Sequence, residues 1–305
     1  MITILGPTAT GKTRFAALVA DAIGGEIVSA DSRQVYNLMN IGTGKDYDDY
    51  LVKGKSIPVH LIDIVEPGYE YNVFEFKRDA QQSINDIQQR GKVPVLCGGS
   101  GMYIEAVIGD YKLFDVPENQ ELSNFLNAKT DEELRGILMS YGETHNTTDV
   151  EIRGRLIKAI EIKDYYQRMN ISEAENTLKN NLIFGIDFPR AIVRSRITDR
   201  LQSRFDSGMI NEVQQLLDKG VPKEMLLRYG LEYRWITRYI DNEISYKEMF
   251  ERLNIAIHQF SKRQMIWFRR MERKGYDITW VDSQLSDEER INLVLNKMKE
   301  AIPKE

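Results

Sequence analysis

The stretch ITILGPTATGKT, residues 2–13, decides the fold. Four apolar residues run into Gly6-x-x-x-x-Gly11-Lys12-Thr13, and Thr13–Ile23 then reads as a helix. Strand, glycine loop and helix in that order form a P-loop. Its glycines let backbone N–H groups converge on phosphate oxygens, and the helix N-terminus adds a favourable dipole. The candidate phosphate-binding residues are therefore Gly6, Pro7, Thr8, Ala9, Thr10, Gly11, Lys12 and Thr13. Lys12 supplies positive charge, and the Thr13 hydroxyl is the candidate ligand for Mg²⁺. Phosphoryl transfer and the departure of a diphosphate both suit this cradle, so the loop alone does not name the reaction.

Outward from the loop, apolar runs alternate with helical patterns, which predicts a parallel α/β sheet. Strands are expected at Ile2–Leu5, Glu26–Ala30, Val59–Val65 and Val93–Cys97. Asn72 with Glu75 predicts a capped helix whose apolar stripe is Val73, Phe76, Ala80, Ile84 and Ile87, stopped by Gly91. From Phe114 to Asn181 the chain is polar and helical, and strand character returns at Leu182–Phe188. The expected architecture is thus a P-loop NTPase-like parallel core from residues 1–113 and 182–305, with a small helical domain, 114–181, inserted in it. Ser245 and Glu248 open a long helix ending at Gly275, followed by a strand at Tyr276–Val281 and a helix from Ser286-x-x-Glu289.

The 305 residues carry a net charge of −5 with 42% hydrophobic and 29% charged residues, an ordinary globular composition. Cys97 is the only cysteine, which excludes an intramolecular disulfide framework and Cys-based zinc fingers. No apolar run is long enough for a membrane helix and no signal peptide is evident, so the expectation is a cytoplasmic monomer with no membrane partner. Between Ser245 and Gly275 stand eight Lys/Arg against three Asp/Glu, a local +5 on a body of −10. Such a stripe is either a solvated helix face or a footprint for nucleic acid, and on charge alone the first is simpler. Asp31, ending the second strand in VSADSRQVY, reads equally as a carboxylate facing the ligand crevice or as a helix N-cap.

GPTATGKT, GGEIVSADSRQVYNLMNIGTGK, HLIDIVEP, VPVLCGGSGMYIEAV and SKRQMIWFRR together resemble the tRNA dimethylallyltransferases, also called tRNA isopentenyltransferases. The resemblance runs in order from Ile2 to about Asp282 and is weakest between Phe114 and Thr148. It implies transfer of a dimethylallyl group from dimethylallyl diphosphate to N6 of the adenosine 3′ of the anticodon. Carried over, the loop Gly6–Thr13 would hold the diphosphate, with Lys12 on the leaving group and Mg²⁺ on Thr13. Asp31 would be the general base, and Ser32, Arg33 and Gln34 would contact the base and its neighbours. Ser100, where the family usually has threonine, would act near the scissile bond. The insertion would grip the anticodon stem-loop of tRNA, with Arg155 and Lys158 at its basic positions. Lys262 and Arg263 on the long helix, with Arg269, Arg270 and Arg273, would track phosphates.

Besides Ser100, Lys158 in place of a usual arginine and an insertion shorter than is typical, the chain departs from the family pattern at three places: RYGLEYRW (Arg228–Trp235) in place of a Gly-Tyr-basic turn, His258 in place of an arginine, and Ser123 where a substrate arginine is usual. Prenylation of free AMP, ADP or ATP, a small-molecule P-loop kinase, and a non-catalytic RNA-binding relic are the alternatives. The kinase lacks a recognisable arginine-bearing lid, and a relic has no reason to keep Lys12, Thr13 and Asp31. His60 is expected to be structural, Cys97 to be inert core, Asp63 to be a weak Walker B candidate, and Lys45 to be either a diphosphate contact or an exposed loop lysine.

Overall fold

The computed structural model describes residues 1–109, 116–117, 119–142, 153–169 and 181–301. The expected boundary between Leu113 and Phe114 lies outside these residues. The chain divides into two compact units, Met1–Gly109 with Thr177–Glu305, and Asp110–Asn176.

In the first unit, β1 (Ile2–Leu5), α1 (Lys12–Ile23) and β2 (Glu26–Ala30) are followed by a small hairpin, β3 (Leu51–Val52) and β4 (Lys55–Ser56). Then come β5 (Val59–His60), α2 (Val73–Gln89), β6 (Pro94–Gly98) and α3 (Gly101–Ile108). The second unit holds α4 (Gln120–Asn127), α5 (Asp131–Ser140) and α6 (Arg153–Arg168). The first unit resumes with β7 (Leu182–Asp187), α7 (Arg190–Asp206), α8 (Met209–Asp218), α9 (Lys223–Leu226) and α10 (Leu231–Ile240). It closes with α11 (Tyr246–Arg273), β8 (Ile278–Asp282) and α12 (Asp287–Glu300).

Six strands form one parallel sheet in the order β5-β2-β6-β1-β7-β8. Successive side chains point to opposite faces, so each strand feeds two cores. Ile2, Ile4, Ile27, Val95, Cys97 and Phe184 pack with α1 and Val294 of α12 on one face. Leu5, Val28, Leu96 and Ile183 pack with α2, α3 and α11 on the other. A third cluster gathers α7 to α11 around Val35, Tyr36 and Met39. In the second unit Leu126, Leu134, Leu138, Leu156 and Ile160 form a core of their own.

The helix ends follow their sequence signals. Asn72 and Glu75 form a reciprocal capping box on α2, as do Ser286 and Glu289 on α12. Ser245 Oγ accepts the Glu248 N–H at 3.2 Å and opens α11. The third strand departs from expectation: it is only Val59–His60, because Leu61 and Asp63 take left-handed φ values of 64° and 56°. That region is sterically poor for residues with a Cβ and breaks the pleat. Pairing returns only as a single bridge between Tyr36 and Val65.

Candidate active site

Three loops leave the sheet side by side because of one glycine. β6 lies between β1 and β2, and Gly98 at its end stands opposite both Leu5 and Ala30. A Cβ at residue 98 would lie 2.1 Å from the Ala30 carbonyl oxygen, so only glycine lets these strands close. The loop Gly6–Gly11, the turn Asp31–Gln34 and the pair Gly99–Ser100 therefore emerge together at the C-terminal edge, where parallel sheets place their ligands.

The first loop is held from within. Thr10 Oγ1 donates to the Pro7 carbonyl at 2.8 Å, and Ala9 and Gly11 take φ values of 63° and 72°. No side chain caps α1 at Gly11, which leaves the first-turn N–H groups for an anion. Burial lowers the Lys12 pKa; Asp31 counteracts this, and Arg200 and Arg204 add to it. Among the described residues no protein group holds the Lys12 ammonium or the Thr13 hydroxyl. Lys12 is half-buried, and a partly desolvated cation without a partner is costly unless an anion joins it.

Asp31 is half-buried, and its Oδ1 accepts the Arg33 N–H at 2.9 Å. This turn spends one carboxylate oxygen and leaves the other for a ligand. Ser100 Oγ accepts the Ser32 N–H at 3.2 Å, and the Ser100 N–H donates to the Ala30 carbonyl at 3.4 Å. Gln34 is committed to the protein: its Nε2 donates to the Gly44 carbonyl at 3.0 Å and its Oε1 accepts from Ser29 Oγ at 3.3 Å. The Arg33 guanidinium has no protein partner.

Several residues around the crevice were not singled out from the sequence. Gln264 of α11 accepts the Thr8 N–H and donates to the Gly99 carbonyl. Arg200 and Arg204, one turn apart on α7, close over Gly44, and a Cβ there would overlap both guanidinium groups. Arg200 pairs with Asp46, and Arg204 lies 3.5 Å from Glu232. Burial raises the Glu232 pKa against the pull of Arg204. Glu212 accepts the N–H groups of Asn40, Ile41 and Gly42 at 2.8, 2.6 and 2.9 Å, and the Tyr233 hydroxyl at 2.7 Å. The signal for this clamp was the pair of glycines in IGTGK, which admit Tyr233 and Arg204 at contact distance.

Lys45 is neither a diphosphate contact nor an exposed lysine. It is fully buried, donating to the Tyr36 carbonyl, Asn40 and Asp63. Asp63 is thereby spent on Lys45 and the Tyr47 hydroxyl, away from any Walker B role. His60 is structural. It joins Arg90 and Lys92 around Glu26 at 2.7, 2.6 and 2.7 Å, at the opposite end of β2. Burial pushes the Cys97 thiol up to about 12, which makes it inert.

Along α11, Lys262, Arg263 and Arg273 are exposed and unpaired. Arg270 instead pairs with the buried Glu105 at 2.8 Å and stacks on Trp267, while Arg269 stacks on Trp280. These two serve the fold. Arg155 and Lys158 lie on the exposed face of α6 in the second unit, with Lys158 3.6 Å from Glu161.

The three departures are accommodated internally. His258 meets Thr198 of α7 at 3.4 Å. Ser123 accepts from the Asn127 side chain within α4. In RYGLEYRW, Tyr229 and Tyr233 turn into the core, and the Tyr229 hydroxyl binds the Gly68–Tyr69 backbone.

Comparison with known proteins gives a consistent result. The family described as IPP transferase matches residues 34–271. The chain is 53% identical over 300 residues to tRNA dimethylallyltransferase 2 of Bacteroides fragilis, covering 98% of each. It is 55% identical over 291 residues to tRNA dimethylallyltransferase 1 of Parabacteroides distasonis, covering 95% of each. Among solved structures it resembles the tRNA isopentenylpyrophosphate transferase of Bacillus halodurans, with a TM-score of 0.72 and 28% identity, covering 98% of this chain and 95% of that one.

Proposed function

Because the chain belongs to the IPP transferase family and is a prenyl transferase of the tRNA-modifying type, we propose that it moves a dimethylallyl group from dimethylallyl diphosphate to N6 of the adenosine 3′ of the anticodon. The observation that carries this reading is that an unheld cation, Lys12, and a carboxylate, Asp31, follow the ends of the two strands that flank β6, close enough for Asp31 to act on the Lys12 charge.

An adenine N6 amine is a weak nucleophile, because its lone pair is delocalised into the ring. On our reading the free oxygen of Asp31 takes the N6 proton as the N6–C1 bond forms and the C1–O bond to diphosphate breaks. Negative charge grows on the departing diphosphate. Lys12 and the open N–H groups at the start of α1 meet it without reorganising. Ser100, tied to the Ser32 backbone, sits between the two halves of the reaction. Thr13 presents an unheld hydroxyl at the head of α1 and is the residue that would hold Mg²⁺. When bound, that ion would further neutralise the leaving group.

The target base has to leave its stack, at a cost of a few kcal/mol that loop and stem contacts offset. We assign those contacts to Arg33, Lys262 and Arg263 near the crevice, and to Arg155 and Lys158 on the second unit. Gln34 then acts chiefly through backbone placement, since both polar atoms of its side chain are tied to the protein, whereas Ser32 is held through its N–H and keeps its hydroxyl for the base. On this reading the enzyme works as a monomer in the cytoplasm with its tRNA substrate. No helix among the described residues is long and apolar enough to cross a membrane.

The test is transfer of labelled dimethylallyl from its diphosphate to unmodified tRNA bearing adenosine 3′ of the anticodon, with AMP and ATP as competing acceptors. Label is expected on tRNA, and Asp31→Asn is expected to slow the transfer roughly 10²–10⁴-fold. Asparagine keeps an oxygen for the Arg33 N–H, so the turn survives while the base is lost. Label on AMP or ATP alone would make the acceptor a free nucleotide, and phosphate release from ATP without label transfer would sink the reading.

A further inference from the structure

We infer that Gln264 is a positioning residue that sets the distance between the phosphate cradle and the Ser100 loop; the inference rests on the function proposed above. Its side chain spans the two loops from α11. The Thr8 N–H donates to Oε1 at 2.9 Å, and Nε2 donates to the Gly99 carbonyl at 2.8 Å. The orientation of this amide is fixed by its partners, since a backbone N–H can only donate and a carbonyl can only accept. Gln264 is 7% exposed and its bond to the buried Gly99 carbonyl lies in the interior, so that carbonyl has no water as a substitute.

The two glycines around Ser100 exist for this helix. A Cβ at residue 99 would lie 2.5 Å from Gln264 Nε2, and one at residue 101 would lie 2.4 Å from Trp267. Gln264 and Trp267, one turn apart, thus press on the residues either side of Ser100. Trp267 is itself anchored, donating from Nε1 to the buried Glu105 at 2.9 Å. The ideal Cβ of Gly99 also falls 3.2 Å from the Gly6 carbonyl and 3.4 Å from Lys12 Cε, so the loops already touch where Gln264 joins them. One amide thereby holds Ser100 in register with Lys12. It also takes the Thr8 N–H out of the set available to phosphate.

Residues 262 and 263, immediately before it, face solvent unpaired, whereas Gln264 faces the crevice. The same helical turn therefore presents charge outward and fixes geometry inward.

The experiment measures, on the full chain well below its unfolding temperature, the affinity for inorganic pyrophosphate with Mg²⁺ and the pH profile of prenyl transfer to tRNA. Gln264→Met removes both hydrogen bonds, and we expect pyrophosphate affinity to fall at least tenfold and kcat about 100-fold. Gln264→Glu keeps the acceptor for Thr8 but sets an anion against the Gly99 carbonyl. Protonation of the introduced carboxyl restores the donor, so the activity of this variant, relative to wild type, should rise as pH falls. Wild-type affinity and kcat in Gln264→Met, or an unaltered pH profile in Gln264→Glu, with only thermal stability lowered, would reduce Gln264 to a packing role. Failure of wild type itself to prenylate tRNA would instead count against the proposed function, and pyrophosphate binding would still report on the cradle.

Discussion

A methyl group at residue 98 has nowhere to go. Gly98→Ala would place it against the Ala30 carbonyl, and β2 and β6 would have to part. Overpacking of this kind costs about 1–3 kcal/mol, so urea unfolding of Gly98→Ala should show a loss in that range, together with reduced transfer. Lys12 carries a different prediction. Burial lowers its pKa in the free enzyme, and a bound diphosphate favours the charged form, so pyrophosphate affinity is full below the free-enzyme pKa. It should decline above that point, at a pH below the ordinary lysine range. Lys12→Arg, which does not titrate there, should remove this alkaline decline, and calorimetric titration across pH is the check. Both residues were visible in sequence as members of a glycine motif. That Lys12 is half-buried and unpaired was not, because its surroundings come from β2, β6 and α7.

At the scale of elements, α11 divides its basic residues between two tasks. Lys262 and Arg263 are free, whereas Arg270 and Lys274 are tied to Glu105. Each phosphate contact to a duplex contributes about 0.9 to the salt slope of binding. Removing Lys262 and Arg263 together should therefore lower the slope for tRNA by roughly 1.8. Arg270→Ala should leave the slope nearly intact and lower thermal stability, since Glu105 would lose a buried partner. On α2, Asn72→Ala should cost about 1 kcal/mol through loss of the cap, measured by thermal unfolding. Caps and stripes were legible because they are local. The division of α11 was not, since all its arginines look alike until Glu105 and Trp280 are placed beside them.

Across the whole molecule, the two edges of the sheet use their cations differently. Lys12, Arg200 and Arg204 gather at the C-terminal edge, and Glu26 collects His60, Arg90 and Lys92 at the other. Burial alone would push the Glu26 carboxyl up; hydrogen bonds from Lys92, His60 and Arg90 overcome that and bring it to about 2. Its folded-state pKa is thus depressed. The associated stability is present above the unfolded value near 4.5 and is lost as pH falls towards 2, on the order of 3 kcal/mol in all. Glu26→Gln should flatten the acid limb of the stability curve between those pH values, measured by denaturant titration.

Residues 2–13 by themselves determined the P-loop, the parallel sheet that begins with it and the candidacy of Lys12 and Thr13, because strand, loop and helix there are contiguous. Asp31 was legible only as a carboxylate at a strand end that could equally cap a helix, and Ser100 only through the family resemblance. What only the tertiary structure decided is which long-range partners complete the site. Lys45 and Asp63 are 18 residues apart and cancel each other. Gln264 reaches Thr8 across 256 residues, and Glu212 gathers the 40–42 backbone from about 170 away. Such pairings leave no periodicity in a sequence, because hydrogen bonds and ion pairs between elements depend on where the sheet brings their ends together.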